Sequence, residues 1–314
     1  MSDVEIIEAM RLSDAVLESA PVGILSIVAH YSRPNVYTFS GDGKIAVTGW
    51  HFGIKEKPVE KLCDGRGLSR VHRIIGAIGD NIYLTGVGNE WKHILASFNL
   101  RTLTFMHCGV IERLASMCIS PADHSIYVCR GYDRTGSNLG FYKRNLITFK
   151  DTELPAMIVT KFRQKLFFYN GSVYVLGGLD KTRFTTAVCE RFDVKENKWY
   201  SIAPMPYPAE VMSVAAGEGN LTLITTKPHT CETYDPIENK WTILSWDETY
   251  TQLSIGALQY NNEKFLAVSN ADEHNPEMVV WEFTSPEKVW NSVLKLEGIK
   301  PRMVVQSFLH FSPP

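Results

Sequence analysis

Short apolar runs recur along the chain, each bounded by turn residues. Six of them are rich in β-branched and aromatic residues: NVYTFSG (35–41), NIYLTGV (81–87), SIYVCRG (125–131), SVYVLGG (172–178), NLTLITT (220–226) and KFLAVSN (264–270). Runs of this composition between turn residues are typical of β-strands. A further apolar run precedes most of them, for example KLFFY at 165–169. The pattern therefore predicts an all-β chain in which groups of strands repeat.

Pairs of aromatic residues, seven positions apart, accompany these runs. The pairs are Phe98 and Phe105, Tyr142 and Phe149, Phe192 and Trp199, Tyr234 and Trp241, and Phe283 and Trp290. Their first members lie 42 to 50 residues apart. The repetition is clearest where CERFDVKENKW (189–199) and CETYDPIENKW (231–241) share seven of eleven positions. Self-similarity at a period of about 45 residues predicts a repeat architecture.

Each repeat is expected to hold four strands: an apolar inner strand, a strand that often ends in glycine, and two strands that carry the aromatic pair. Four short antiparallel strands in about 45 residues are typical of a β-propeller blade. A single blade cannot bury both of its faces, whereas blades stacked in a ring bury them against one another. The six runs therefore predict a six-bladed β-propeller of four-stranded antiparallel blades.

One repeat resembles a named family. The segment YNGSVYVLGGLDKTRFTTAVCERFDVKENKWYSIAPMP (169–206) is similar to a Kelch repeat. Its double glycine, Gly177-Gly178, is followed by a Glu-x-Phe-Asp strand, a Trp and a Met-Pro. The next repeat keeps the second half but has two threonines in place of the glycines. The resemblance extends over about residues 35–312 and implies a Kelch-type propeller.

The two ends of the chain complete this prediction. In Kelch-like rings the last strand often completes the first blade, so MVVQSFLHF (303–311) is expected to pair with strands within residues 35–63. The alternative for that inner position is GILSIVAHY (23–31). Residues 1–21 carry helix-like spacing and are predicted to form a helical preface to a propeller that spans 22–314.

The repeated residues are interpreted as structural. Glycine allows a positive φ and close approach of the backbone, which explains Gly177 and Gly178 without a phosphate-binding loop. The aromatic pairs are expected to pack between blades and to supply most of the burial. Acidic residues that recur in register are expected to accept backbone hydrogen bonds in turns and at strand edges. They are Glu190, Glu232, Asp193 and Asp235.

Composition and charge narrow the function. A formal net charge of −2 and a pI of about 6.5 provide no basic field for nucleic acid or an anionic membrane. Six cysteines are scattered without a CxxC pair, which favours reduced thiols and a cytoplasmic protein. Nine histidines are dispersed, and neither HExxH nor GxSxG occurs. We predict no catalytic residue, no cofactor and no metal site.

Function is expected in loops on one face of the propeller. The resemblance implies that this face is built by loops joining strands two and three of each blade and by loops joining successive blades. The predicted partner-binding residues are Arg70, Asn89, Glu90, Trp91, Arg113, Tyr132, Asp133, Arg134, Arg163, Asp180, Lys181, Arg183, Tyr207, His229, Tyr250, Asp272, His274 and Arg302. Arg, Tyr and Trp are residue types that anchor interfaces. A partial basic ring suited to an acidic peptide would consist of Arg70, Arg113, Arg163 and Arg302.

The favoured function is a non-catalytic module that binds a peptide or protein. The resemblance implies target recognition for a cullin-type ubiquitin ligase, or an actin-associated scaffold. Those adaptors carry a BTB or F-box region before the propeller, and the roughly thirty residues before the first strand are too few for either. The chain is then expected to recruit through its own surface or to be part of a longer adaptor. The alternatives are a propeller oxidase or isomerase with a central-channel site, and a self-associating structural protein.

Overall fold

The structure is a computed structural model of the 314-residue chain. It describes residues 36–40, 45–50, 59–63, 68–88, 92–112, 115–130, 140–216, 219–225, 230–246, 253–261, 264–269, 278–284, 289–296 and 306–309. The helical preface predicted at 1–21 and the alternative strand at 23–31 lie outside these residues.

The described residues form strands joined by turns and contain no helix. The strands pair into four-stranded antiparallel sheets, as the repeats predict. One sheet contains β24 (Gln306–Leu309), β1 (Val36–Ser40), β2 (Ile45–Trp50) and β3 (Val59–Cys63), and the next contains β4 (Leu68–Ile78), β5 (Asn81–Gly88), β6 (His93–Asn99) and β7 (Thr104–Val110). Two further sheets contain β8 (Ser116–Ser120), β9 (Ser125–Cys129), β10 (Phe141–Asn145) and β11 (Asp151–Leu154), and then β12 (Lys165–Tyr169), β13 (Ser172–Leu176), β14 (Cys189–Asp193) and β15 (Lys198–Ile202). The remaining strands form one sheet of β16 (Val211–Ala216), β17 (Leu221–Thr225), β18 (Thr230–Asp235) and β19 (Lys240–Trp246), and one of β20 (Leu253–Asn261), β21 (Lys264–Ser269), β22 (Met278–Thr284) and β23 (Val289–Leu296). The all-β prediction is confirmed.

The first strand of each sheet contacts the first strands of two other sheets. Along the chain, β4 contacts β8, β8 contacts β12, β12 contacts β16 and β16 contacts β20. Strand β24 contacts β20 on one side and β4 on the other. The same strand pairs with β1, Val36 lying opposite Leu309. The contacts between these strands therefore return to their starting point.

Neighbouring sheets bury their apolar faces against each other. Cys129 and Phe141 of the β8–β11 sheet share a cluster with Phe192 and Trp199 of the β12–β15 sheet. The ring centroid of Phe141 lies 4.9 Å from that of Trp199 and 5.1 Å from that of Phe192. These two sheets therefore depend on each other for burial, as expected for stacked repeats.

The seven-residue spacing of the aromatic pairs places their members opposite each other on adjacent strands. In the turn after Phe192, the Asp193 carboxylate accepts hydrogen bonds from the backbone N–H groups of Lys195 and Glu196. The turn ends at Asn197, which has a left-handed φ of 55°. The hydrogen bonds between the Asp193 side chain and the backbone of the following turn therefore fix the length of that turn, and with it the spacing of the aromatic pair. The same register holds for Phe98 with Phe105, Phe192 with Trp199, Tyr234 with Trp241, and Phe283 with Trp290.

The side-chain packing is described for Phe98 and Phe105 but not for Phe283 and Trp290. Phe105 is 2% exposed, and its ring centroid lies 4.8 Å from that of Phe98. Phe98 and Phe105 share a buried cluster with Ile45 of the preceding sheet, so this pair packs between sheets. Trp290 lies opposite Phe283 in the strand register, but the side chains of both residues lie outside the described part of the structure. The packing expected of Trp290 and Phe283 therefore stays a prediction.

The prediction for Tyr142 and Phe149 is wrong at Phe149. Phe149 lies in the turn after β10 with a left-handed φ of 56°, and 43% of its surface is exposed. Tyr142 is buried but lies opposite Glu153. The positions equivalent to the aromatic pair are Arg144 and Asp151, which form a bidentate ion pair with N–O distances of 2.7 and 2.8 Å. The spacing of Tyr142 and Phe149 is therefore coincidental.

The double glycine lies where the backbone of the β12–β15 sheet is most crowded. Gly178 has a φ of 100°, and a Cβ there would lie 2.7 Å from the Phe162 carbonyl oxygen and 2.8 Å from the Gln164 backbone nitrogen. At Gly177, a Cβ would lie 2.4 Å from the Ala209 carbonyl oxygen. Both positions therefore require glycine for backbone reasons.

Candidate functional site

The connection between β13 and β14 is held between two other backbone segments. Leu179 exchanges backbone hydrogen bonds with Phe162, in the segment that leads into β12. On the other side, Met205 N–H donates to the carbonyl of Ala187 at 2.9 Å. Residues 155–163, 177–188 and 203–210 therefore form one continuous surface at this end of the sheet, which we call the loop surface.

Asp180 organises the tip of the loop surface. Its Oδ1 accepts hydrogen bonds from the Thr182 hydroxyl at 2.6 Å, the Thr182 N–H at 2.8 Å and the Phe184 N–H at 3.1 Å. The hydrogen bond from the Thr182 hydroxyl is the largest of the effects that lower the pKa of Asp180. The carboxylate is thus occupied within the turn, while the neighbouring Lys181 and Arg183 are exposed.

Apolar side chains are exposed on the same surface. Phe184 is 73% exposed at the loop tip, and Ile158 is 55% exposed on one flanking segment. Val159 and Tyr207 are also exposed, the latter on the other flank. Exposed apolar residues beside arginine are the composition of protein interfaces.

Cations collect where the loop surface meets the inner strands. Arg163 forms an ion pair with Glu210 at 3.1 Å and is largely exposed. Desolvation by the surrounding protein and then the charge of Arg163 lower the pKa of Arg73 on β4, although Arg73 retains solvent access. Burial, followed by the charge of Arg73, lowers the pKa of Lys165 to about 8. Arg73 therefore lies close enough to both Arg163 and Lys165 for their charges to repel it.

A buried lysine lies beneath the loop surface. The Lys161 ammonium donates to the carbonyl oxygens of Val188 at 2.6 Å and Val175 at 3.3 Å. Burial lowers its pKa, and electrostatic interactions with Cys189 and Glu190 oppose that change. Glu190, also buried, accepts a hydrogen bond from the Val159 N–H at 2.6 Å. These hydrogen bonds attach the segment 155–163 of the loop surface to strands β13 and β14 and to the residue before β14.

The structure brings together five of the predicted partner-binding residues. Arg163, Asp180, Lys181, Arg183 and Tyr207 all belong to the loop surface. Arg70 was predicted in a connection between blades, but it lies within strand β4, paired with Val87. The others lie outside the described residues: Asn89, Glu90, Trp91, Arg113, Tyr132, Asp133, Arg134, His229, Tyr250, Asp272, His274 and Arg302.

Sequence reasoning missed several residues of this site. Phe184, Ile158 and Val159 were not singled out, although an apolar residue inside a turn-rich, unrepeated stretch is a usable signal. Arg73 and Lys165 were missed because they lie inside apolar strand patterns. Their proximity depends on the contacts of β4 and β12 with the strand between them, β8, which bring residues 92 positions apart in sequence near each other.

Among the described residues, no group of three or more His, Cys, Asp or Glu side chains could hold a metal ion. Nor do the described residues include a helix long and apolar enough to cross a membrane.

Comparison with known proteins identifies the repeat. Residues 167–206 match the family model described as Kelch motif. The chain is 29% identical over 136 residues to "Kelch repeat and BTB domain-containing protein 6" of Homo sapiens, covering 43% of the chain and 19% of the relative. It is 23% identical over 228 residues to "Kelch repeat and BTB domain-containing protein 12" of Danio rerio, covering 62% of the chain and 36% of the relative. The chain thus spans less than half the length of these curated relatives.

A solved structure supports the architecture. A propeller chain in "Crystal structure of Nidogen/Laminin Complex" superposes with a TM-score of 0.59 at 10% identity, covering 87% of this chain and 98% of that one. At this identity the likeness concerns the fold alone. Residues 167–206 therefore carry a Kelch motif, and the chain is similar to Kelch-repeat proteins.

Proposed function

We propose that the chain is a non-catalytic interaction module whose loop surface binds a protein or peptide. The observation that carries this proposal is the exposure of Phe184, Ile158 and Tyr207 beside Lys181 and Arg183. Large apolar side chains exposed together cost free energy in water unless a partner covers them. Backbone hydrogen bonds to both flanking segments hold them on a preorganised surface, which lowers the entropy cost of binding.

We also propose that the sheets are the blades of a closed six-bladed ring. The cyclic contacts between the first strands of the sheets support this arrangement, as does the pairing of β24 with β1. In such a ring the loop surface would lie on one face, beside the central channel. The cluster of Arg73, Arg163 and Lys165 would then face the channel mouth and favour an acidic partner.

Within the interaction class, we propose target recognition of the kind performed by Kelch-like ubiquitin-ligase adaptors. Relatives that combine Kelch repeats with a BTB domain support this assignment at the level of the family. Cytoplasmic residence is part of the same proposal. An actin-associated scaffold is the alternative outcome, and the identity of the captured partner would distinguish the two.

The test compares partners of the wild-type chain with those of a Phe184→Ser/Tyr207→Ser variant. The matched control is Ile237→Ser, because Ile237 is 86% exposed on a turn outside the loop surface. Partners should be captured by affinity purification, quantified by mass spectrometry and titrated as purified proteins. We expect the double variant to weaken binding about tenfold or more and the control to leave it unchanged. Equal binding by all three proteins would contradict the proposal.

A further inference from the structure

A cavity of about 220 Å³ lies between the outer strands of the β12–β15 sheet and the turn that joins β18 to β19. Arg191 of β14 and Tyr200 of β15 line one side, and Tyr234 and Pro236 line the other. Arg191 lies opposite Tyr200 in the strand register. The cavity is thus on the flank of the sheet and shares no lining residue with the loop surface.

The wall formed by the β18–β19 turn is held in place by Asn239. This residue has a left-handed φ of 51°. Its Oδ1 accepts hydrogen bonds at 2.8 Å from the Ala203 N–H and from the Tyr234 hydroxyl. The Trp241 indole N–H donates to the carbonyl of Ala203, also at 2.8 Å. The cavity therefore has fixed walls and does not depend on a loose loop.

The guanidinium of Arg191 is half-buried beside this cavity and has no counter-ion within the described part of the chain. Among the described residues, no carboxylate forms an ion pair with it. The acidic groups nearest in the strands are engaged elsewhere. Glu196 accepts a hydrogen bond from the Tyr200 hydroxyl. Asp193 and Asp235 each cap their own turns through backbone N–H groups.

The neighbouring sheet shows how a cation at the equivalent register is balanced. Lys143 of β10 lies opposite Tyr127, as Arg191 lies opposite Tyr174. Lys143 pairs with Asp123 at 3.6 Å, and the Tyr127 hydroxyl donates to the same carboxylate at 3.0 Å. Asp123 comes from the turn between β8 and β9. The corresponding turn between β12 and β13 is Asn-Gly and carries no acid.

The described surroundings of Arg191 add positive charge and no compensating ion pair. Its Cζ lies 5.3 Å from the Tyr200 ring centroid, and the Lys198 ammonium lies 5.2 Å from the same centroid. Burial raises the pKa of Tyr174 against the opposing charge of Arg191, and it raises the pKa of Tyr234 to about 12. Both phenols are therefore neutral at physiological pH, and although Arg191 hydrogen-bonds the Tyr174 hydroxyl, neither phenol neutralises the guanidinium charge.

We propose that this cavity binds a single carboxylate or phosphate group, with Arg191 as its counter-ion. A guanidinium presents paired N–H donors that match the two oxygens of a carboxylate or phosphate. The volume admits one such group with a short attachment. The group could come from a free small anion or from an acidic side chain of a partner protein. The chemistry at Arg191 is the same in both cases.

The test is isothermal titration of the folded full chain with three probes at constant ionic strength. Inorganic phosphate represents a free anion, and N-acetylglutamate amide represents an acidic side chain. N-acetylglutamine amide is the uncharged match. The variants are Arg191→Met and Arg191→Lys, with Arg101→Met as control because Arg101 is 72% exposed on a different turn and pairs with Asp80.

We expect saturable binding of at least one anionic probe and none of N-acetylglutamine amide. The dissociation constant should rise about tenfold or more in Arg191→Met and stay unchanged in Arg101→Met. Arg191→Lys, which keeps the charge, should bind more weakly than the wild type because it lacks the paired donors. If Arg191→Met fails to fold, the weaker binding of Arg191→Lys still tests the role of the guanidinium. Absence of saturable binding by the wild type, or equal binding by the wild type and both Arg191 variants, would overturn the proposal.

Discussion

Two buried carboxyl groups at equivalent positions have different environments. Glu190 and Glu232 are both fully buried, each in the third strand of its sheet. Burial raises the pKa of both groups, but at Glu190 the charge of Lys161 and two backbone N–H groups oppose that change. At Glu232 the opposing effect is a hydrogen bond from the Thr230 hydroxyl, 2.7 Å long. The two repeats therefore share the residue type but differ in the charge around it.

This difference predicts pH responses of different size when each carboxyl group is removed. Because the pKa of Glu232 is raised in the folded state, the unfolded chain loses this proton first as pH rises above the ordinary glutamate value, and stability falls. Glu232→Gln removes that loss, so its stability relative to the wild type should increase from about pH 5 to about pH 8. The pKa of Glu190 is also raised, so Glu190→Gln should respond in the same direction but less, because Lys161 and two backbone N–H groups oppose the rise. Urea unfolding at both pH values measures each effect, and a response of Glu190→Gln as large as that of Glu232→Gln would argue against this account.

Gly171 and Gly178 both have a positive φ, but only Gly178 is crowded by other atoms, so comparing them distinguishes the cost of crowding from the cost of backbone strain. At Gly178 an added Cβ would meet backbone atoms, which cannot move aside, whereas at Gly171 nothing lies within 4 Å. We expect Gly171→Ala to cost about 1–2 kcal/mol of unfolding free energy, from the left-handed conformation alone. Gly178→Ala should cost more than about 3 kcal/mol. Chemical denaturation of the two variants compares them directly, and equal costs would show that crowding at Gly178 is relieved by relaxation.

At the scale of elements, one sheet replaces the aromatic pair with an ion pair. The pairs formed by Phe192 with Trp199 and by Tyr234 with Trp241 are part of the packing between sheets. Each indole N–H donates to a carbonyl of the segment before the inner strand. In the β8–β11 sheet, Arg144 donates to the Val110 carbonyl at 2.9 Å and pairs with Asp151. The same hydrogen-bonding position between sheets is therefore filled by different chemistry.

A double substitution tests this equivalence. Arg144→Phe and Asp151→Trp would each leave a polar partner without its mate, and each should cost about 1–3 kcal/mol of unfolding free energy. The combined variant recreates the pair that Phe192 forms with Trp199. It should be at least about 1 kcal/mol more stable than the sum of the single effects. Urea unfolding of the wild type, the two single variants and the double variant measures the four free energies of this double-mutant cycle. Strict additivity of the single effects would show that the two positions do not act as a pair.

At the scale of the whole molecule, the decisive pairing joins the first and last described strands. Thr38 of β1 lies opposite Ser307 of β24. A disulfide between these positions would close a loop of most of the chain, and long loops gain most from cross-linking in the chain-entropy account. The native cysteines whose burial is described, at 108, 118, 129, 189 and 231, are all buried. They should not compete with the engineered pair.

We expect Thr38→Cys/Ser307→Cys to oxidise readily and to gain about 2–5 kcal/mol over its reduced form. The control is Thr38→Cys/Gln306→Cys, which is displaced by one residue and so directs the two side chains to opposite faces. Mass spectrometry and unfolding with and without reductant measure both variants. Rapid oxidation of the control alone, or of neither protein, would contradict closure of the ring through β24.

Much of the fold could be predicted because it depends on local patterns. The alternation of apolar runs with turn residues specifies strands, and a repeated Asx turn specifies which aromatic residues face each other across a hairpin. The prediction failed at Phe149 because a spacing of seven residues does not determine which residues lie opposite each other. The residues that do so at the equivalent positions, Arg144 and Asp151, each lie two positions after Tyr142 and Phe149. The prediction failed at Arg70 because strand β4 begins earlier than its apolar run.

The sequence by itself determined the repeat, the strand content and the Kelch motif at residues 167–206, since each follows from residues close together along the chain. Tertiary structure decided which charges share a site. The charge of Arg73 acts on Lys165, and that of Arg163 on Arg73, because β4 and β12 both pack against β8. Arg191 has a cavity because a turn of the next sheet forms its wall. Both depend on packing between repeats, which brings together residues that no local pattern relates.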